Sequence, residues 1–451
     1  MNDSKVELIS DRKNLIEWFE SGCKSALDFK IGTEHEKFVY IDETLSPVGY
    51  DGETGIKRIL QSLTHFGWEE VYEKTNLIAL KKNKQSITLE PGGQLELSGA
   101  PLSNIHQTCV EVNDHLEQVK IIGKELGVSF LGLGARIDGS LSPELWMPKS
   151  RYDIMKEYMP LVGNKGLEMM ADTCTVQVNL DYSSEKDMVR KLRAAFTIQP
   201  IVTAMFACSP IENMNKSKYV SRRANIWLDV DSDRCGIPKM IFDDGFGFEM
   251  WVDYALQIPM YFIRRHNEYI NCTGSTFENF LNGNAVSTEG NKASILDWED
   301  HLTTIFTEVR LKRFLEMRGA DAGPWKNLCA LPALWVGLLY NQSSLGEIEA
   351  LASEISFETL KNIYNEVPQY GLSTSINGRT VGDYAKDVLS IAMNGLKKRG
   401  IVDAAGNDER GYLKDLYHAV YEGKNPSSRI LDIYNEDEIS FKKRIYEEFS
   451  Y

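Results

Sequence analysis

Glutamates at alternate positions, inside two stretches that otherwise read as β-strands, are the strongest constraint on how this chain folds. The stretches are IGTEHEKFVY at 31–40 and ITLEPGGQLELSGAP at 87–101. Successive side chains of a strand point to opposite faces. Glu34 and Glu36 therefore share one face of the first, and Gln94, Glu96 and Ser98 share one face of the second. Leu95 and Leu97 point the other way, into a core, and His35 points away from its flanking acids. Glu90 stands just before the Pro91-Gly92-Gly93 turn, where paired glycines let the backbone approach a ligand closely. One such strand alone is the ordinary solvated face of an antiparallel sheet. Two of them, one with a glycine turn beside its acids, gather carboxylates that are costly without positive charge among them. Hard divalent cations, which prefer oxygen donors, meet that need.

A second element is EVRLKRFLEMRGADAGP at 308–324. Leu315 and Met317 suit a core, while Glu316 and Arg318 share the opposite face. An acid beside an arginine suits a site that holds both a metal and a phosphate, since guanidinium takes phosphate oxygens in a fork. The plain alternative is a surface ion pair, worth little. Arg222–Arg223 before NIWLDVD, and Arg151 in RYDIM, are candidate carboxylate binders, although such arginines are more often surface or packing residues. No histidine triad or nucleophile elbow is present. Metal-binding acids with phosphate-binding arginines point to ATP chemistry by positioning and electrostatics.

The surrounding pattern interleaves helices and strands. Residues 10–20 read as a helix capped by Ser10 or Asp11, and Gly55–Gly67 as a short one. Ile105, Cys109, Val112, Leu116, Val119 and Ile122 recur at three or four, a long amphipathic helix ended by Gly127. TCTVQVNLDY at 173–182 is the clearest strand, with Gln177 and Asn179 on one face. Met188–Phe206 has helical periodicity that Pro200 is positioned to break, and a helix from Val381 ends at Gly400. No glycine-rich loop joins strand to helix in a Walker or Rossmann pattern. The expected class is α+β with a mostly antiparallel sheet. Acidic residues outnumber basic ones by 65 to 50, a net charge of −15, which disfavours nucleic-acid binding. No apolar run is long enough to span a bilayer, and no signal pattern is seen, so a reducing cytoplasm is the expected location. The seven cysteines include no CxxC pair, which disfavours a zinc site, and most are expected to be buried thiols.

These stretches resemble glutamate–cysteine ligase of the plant and proteobacterial kind. The motifs carrying the likeness include GTEHEKF, LEPGGQLELSGAPL, MPKSRYDIM, CTVQVNLDYSSE, FDDGFGFE, VDYALQIPMYF, HLTTIFTEVRLKRFLEMRGADAGPW and CALPALWVGLLY. They run over nearly the whole chain. The resemblance implies a glutamine synthetase-like fold, in which a curved antiparallel sheet forms a funnel lined by acids. It implies one catalytic domain over 1–451, with a helical C-terminal part from about 345. It implies that L-glutamate, L-cysteine and ATP give γ-glutamylcysteine through a γ-glutamyl phosphate, the first step of glutathione synthesis.

By the same resemblance, Glu34, Glu36, Glu90, Glu96, Glu316 and Gln177 are the Mg2+ candidates. Arg318 is the phosphate-facing arginine, Arg151 and Arg223 hold substrate carboxylates, and Tyr261 lies near the cysteine pocket. A monomer or weak homodimer in a bacterial cytosol is expected, since the chain opens near the start of the mature plant enzyme. Cys109 and Cys329 match a regulatory disulfide of plant members. Cys272 matches half of a second bridge whose partner position carries Ser287, so that bridge cannot form. The sequence departs from the plant pattern around Arg222 and in the loop Arg136–Leu145, and Arg222 takes no role. Ligation to another amine, and a noncatalytic nucleotide-binding regulator, remain the alternatives.

Overall fold

A computed structural model describes residues 7–139, 142, 145–266, 268–288 and 290–451. Four of the residues outside that set fall in the Arg136–Leu145 loop, so that departure from the plant pattern lies partly outside the described residues. The strands that matter for function are β1 (Ile31–Ile41), β2 (Ser46–Pro47), β3 (Glu69–Glu73), β4 (Asn76–Lys82), β5 (Gln85–Leu89), β6 (Leu95–Ser98), β7 (Val128–Leu131), β8 (Thr175–Leu180), β9 (Val309–Leu311) and β10 (Leu315–Asp321). They form one sheet in the order β9-β10-β8-β1-β6-β5-β4-β3, with β2 and β7 also paired to β1. The pairings are antiparallel, so the expected α+β class holds.

β1 lies at the middle of this sheet, paired along one edge to β6 and along the other to β8, and its two faces differ. Ile31, Thr33 and His35 are buried on one side, and Glu34 and Glu36 are more open on the other. Leu95 and Leu97 of β6 are fully buried, as the alternation requires. The back of the sheet is covered by α1 (Ile105–Leu126) and α5 (Trp325–Leu339), and α5 packs in turn on α6 (Val381–Arg399). Asn104 caps α1 by accepting from the Gln107 N–H, and Gly127 ends it at φ 68°, a left-handed conformation open to glycine. Cys109 of α1 and Cys329 of α5 are joined by a disulfide, their Cα atoms 5.7 Å apart. Cys272 is free and buried, as the missing partner requires.

Two shorter helices carry arginines toward the front of the sheet: α2 (Ser150–Val162) and α4 (Arg222–Trp227). Between them in sequence is α3 (Glu185–Phe206), which packs on β10. It runs unbroken through Pro200, against the expected break. A proline inside a helix costs about 3 kcal/mol, and every residue of α3 from Ala194 to Phe206 is buried, so packing offsets the lost bond. After Gln342 the chain is mostly helical. Among the described residues no helix is long and apolar enough to cross a membrane.

Candidate active site

The front of the sheet floors a cleft of about 470 Å3. Its floor is laid out in rows by strand register. Thr88, Glu96 and Glu36 form one row across β5, β6 and β1. Ser98, Glu34 and Gln177 form the next. Gly32, Asn179, Glu316 and Arg310 form a third, reaching the β9 edge; of these four Arg310 lines the cavity, and Glu316 lies buried beneath it. Glu90 joins the first group from the turn after β5, so Glu34, Glu36, Glu90 and Glu96 all line one cavity.

The acids of β1 and β6 have neutral partners. Glu34 Oε1 accepts from Asn179 Nδ2 at 2.8 Å, Glu36 Oε2 from the Thr175 N–H at 2.9 Å, and Glu96 Oε2 from the Thr88 hydroxyl at 2.6 Å. Glu36 sits directly opposite Glu96, an arrangement that destabilises a sheet when both carry charge. Burial, then Glu316 and Glu96, push the Glu34 carboxyl up to about 7. Burial and neighbouring Glu90 raise Glu36 and Glu96 as well. Among the described residues no three His, Cys, Asp or Glu side chains form a ready-made metal cage.

Glu316 is built differently. It is fully buried and accepts from Arg310 Nη2 at 2.7 Å, from Lys312 Nζ at 3.0 Å and from Arg318 Nη1. Burial opposes its charge, but these three cations more than reverse that and hold the carboxyl well below the usual carboxylate range. Gln177 Oε1 accepts from Arg318 Nη1 at 2.8 Å, so Gln177 steadies the arginine from the next row.

Arg223 and Arg151 both line the cleft. Ser221 caps α4 by accepting from the Ala224 N–H, which aims Arg223 inward, where Nη2 donates to the Arg318 carbonyl at 2.9 Å. Arg151, on the first turn of α2, stacks on Tyr152 with its Nε unpartnered. Arg222 turns the other way, donating to the Arg136 carbonyl at 2.8 Å and pairing with Glu168 and Glu212. Tyr261 is not on the cleft wall. It is 1% exposed, with its hydroxyl on Met159 Sδ at 3.6 Å and the Arg234 guanidinium over its ring. Phe262, one residue on, faces the cleft instead.

Sequence reasoning passed over Lys149, Arg310 and Lys312, which also line the cleft. Arg310 and Lys312 were legible, because they alternate in VRLK as Glu316 and Arg318 do in LEMR. Lys149 was not, since it stands just outside any periodic segment. Its Nζ donates to the Leu89 carbonyl at 2.7 Å, and burial, then Arg151, push its ammonium down to about 8. Arg136 donates to the Gly92 carbonyl at 2.8 Å. These two contacts grip the Glu90 turn from either side.

A cleft lined by glutamates and by arginines and lysines, over an antiparallel sheet, is suited to holding anionic substrates. The fold matches a solved glutamate–cysteine ligase of Francisella tularensis in complex with AMP, at a TM-score of 0.54 and 13% identity, covering 94% of this chain and 89% of that one. This is the glutamine synthetase-like fold. The family model for glutamate–cysteine ligase family 2 matches residues 30–448. The chain is 49% identical over 424 residues to glutamate–cysteine ligase B of rice, covering 94% of this chain and 84% of that protein. It is 49% identical over 441 residues to the Arabidopsis thaliana enzyme, covering 98% and 83%. The chain therefore belongs to the glutamate–cysteine ligase family, ligases that join glutamate and cysteine with ATP. These plant relatives are chloroplastic enzymes, which overturns the expectation of a cytoplasmic location.

Proposed function

We propose that this cleft joins the γ-carboxylate of L-glutamate to the amine of L-cysteine through a γ-glutamyl phosphate, giving γ-glutamylcysteine, ADP and phosphate. The observation that carries this is the gathering in one cavity of acids hydrogen-bonded to neutral partners on β1 and β6 with a cation cluster on β9 and β10. A carboxylate is a poor electrophile, and phosphorylation turns it into an acyl phosphate with a good leaving group. Arg318, Arg310 and Lys312 stabilise charge developing on the transferred phosphoryl group. Arg223 and Arg151 hold the glutamate carboxylates. The apolar wall, with Trp227, Phe306, Phe262 and Met170, excludes water that would hydrolyse the acyl phosphate.

The donor set fits Mg2+. These carboxyls are raised by burial and by one another, a state a divalent cation would relieve, and Mg2+ needs only one or two carboxylates when substrate phosphates and waters complete its shell. Glu34, Glu36, Glu90 and Glu96 would hold it, and when bound it would offset the repulsion between the two anionic substrates. Glu316 differs from this set: its oxygens are taken by three cations, so it serves as the anchor of the phosphate-facing side chains. Tyr261 supports the cysteine side from behind Phe262. The chain acts as one catalytic domain, a monomer or weak homodimer, and its product feeds glutathione synthesis.

The test is ADP release with glutamate and ATP, with and without cysteine. Release that needs both amino acids supports ligation. Release that is the same with and without cysteine counts against it, and mass analysis with other amines decides acceptor choice.

A further inference from the structure

Glu308 and Tyr364 have no part in the site described above, yet both stand behind Arg223. A small cavity of about 10 Å3 lies there, lined by Thr203, Arg223, Trp227, Glu308, Gly319 and Tyr364 among others. Arg223 and Trp227 line this cavity and the main cleft, so they form the partition between the two. A space of this size holds about one water. Gly319 keeps it open: a Cβ there would lie 2.2 Å from Glu308 Oε2 and 2.6 Å from Gln199 Nε2. The opening coincides with a register shift between Met317 and Ala320 in the β8–β10 pairing, and such bulges re-aim side chains beside active sites.

Arg223 is 3% exposed and its Nε has no partner among the described residues. Three carboxylates bear on its charge: Asp321, Glu308 and Glu36. Asp321 is already committed, accepting from the Cys208 N–H and from the Ser209 and Ser221 hydroxyls. Glu36 belongs to the acid wall of the cleft. Among the described residues the Glu308 carboxylate accepts one hydrogen bond, from the Tyr364 hydroxyl to Oε1 at 3.1 Å. Burial works against the charges of Glu308 and Arg223 alike, and each favours the other's ionised form.

We propose that Glu308, held by Tyr364, is a positioning residue for Arg223, supplying through one water in the small cavity the counter-charge that orients the guanidinium toward the substrate carboxylate. The inference rests on Arg223 as a glutamate-binding group. E308A and E308Q are expected to raise the KM for glutamate about tenfold, with kcat and the KM for ATP within about twofold, the scale on which neighbouring groups couple. Y364F is expected to raise it by about threefold, since it frees the carboxylate without removing it. The double variant R223A/E308Q should bind glutamate no worse than R223A alone, because the partner of Glu308 is then gone.

A merely structural role would lower Tm and leave the glutamate KM unmoved, and that result overturns the inference. An equal rise in the KM for ATP also overturns it, by assigning Glu308 to Arg318. If E308A fails to fold, E308Q and Y364F carry the test. If R223A raises the glutamate KM while E308Q and Y364F do not, this inference alone falls. If R223A leaves it unchanged, the role of Arg223 falls too.

Discussion

The acid wall of β1 and β6 and the Glu316 knot of β9 and β10 use the same residue type on the same sheet, and their environments are opposite. Glu34, Glu36 and Glu96 accept from an amide, a backbone N–H and a hydroxyl. Glu316 accepts from three cationic side chains. The carboxyls of the wall are pushed up and that of the knot is held down. A knot with its own counter-charges is complete as folded. The wall takes its hydrogen bonds from neutral donors, and Lys312, Arg223 and Lys149 act on its charge without a salt bridge to it among the described residues. Sequence spacing treats all four glutamates alike, and only their partners separate the wall from the knot.

Breaking the knot should have the largest effect. E316Q leaves Arg310, Lys312 and Arg318 crowded together without their shared anion. Removing one partner of a buried ionic cluster costs about 3–5 kcal/mol, so denaturant unfolding should show a loss of that order together with loss of ligation. A variant that keeps wild-type stability would break the comparison, because the knot would then not be a structural unit.

The wall should respond in the reverse sense. E34Q, E36Q and E96Q are each expected to abolish ligation while leaving stability equal to or above wild type, since each removes a charge that is crowded in the metal-free protein. Near-normal turnover in all three at limiting Mg2+ would sink the metal assignment. A smaller and more selective effect is expected at Arg223. R223A should weaken glutamate use about a hundredfold while ATP binding stays within about threefold, because a substrate carboxylate loses one charged partner. Arg222 sharpens the contrast: it is equally buried but faces Arg136, Glu168 and Glu212. R222A should cost stability and leave the glutamate KM unchanged.

How much of this was legible follows from what alternation can and cannot report. It assigns faces, so Glu34, Glu36, Glu96 and Gln177 on the cleft side, and Leu95, Leu97 and His35 behind it, follow from period two alone. It assigns no partners, so Glu316 could not be told from Glu34. The same rule applied to VRLK would have brought Arg310 and Lys312 into the site. At Tyr261 the one-residue difference that separates faces decided the matter, and Phe262 took the cleft side. Lys149 and the Glu308 cavity come from chain segments that meet only in three dimensions. Pro200 shows local propensity overridden by burial in α3.

The finest test of the comparison is the pH dependence of stability without metal. The folded carboxyl of Glu34 lies at about 7, above its ordinary value of 4.5, and Glu36 and Glu96 are shifted the same way. Such groups bind more protons folded than unfolded. Their contribution is full below the unfolded value and is lost as pH rises toward the folded one. Glu316 is shifted down, so its contribution is present above the unfolded value and is lost as pH falls through the folded one. Between about 4.5 and 7 the wall should therefore lower the unfolding free energy as pH rises. Other buried groups titrate nearby, Lys37 among them, pushed down to about 7 by burial. The measurement is accordingly a difference: urea unfolding of wild type against the E34Q/E36Q/E96Q triple variant across that window. The triple variant should lose the downward component. Mg2+ with nucleotide should remove it from wild type as well, because a bound cation favours the ionised carboxylates. A downward component that survives in the triple variant, or that Mg2+ and nucleotide leave untouched, would mean that the wall is not short of positive charge and that its difference from the knot is one of geometry alone.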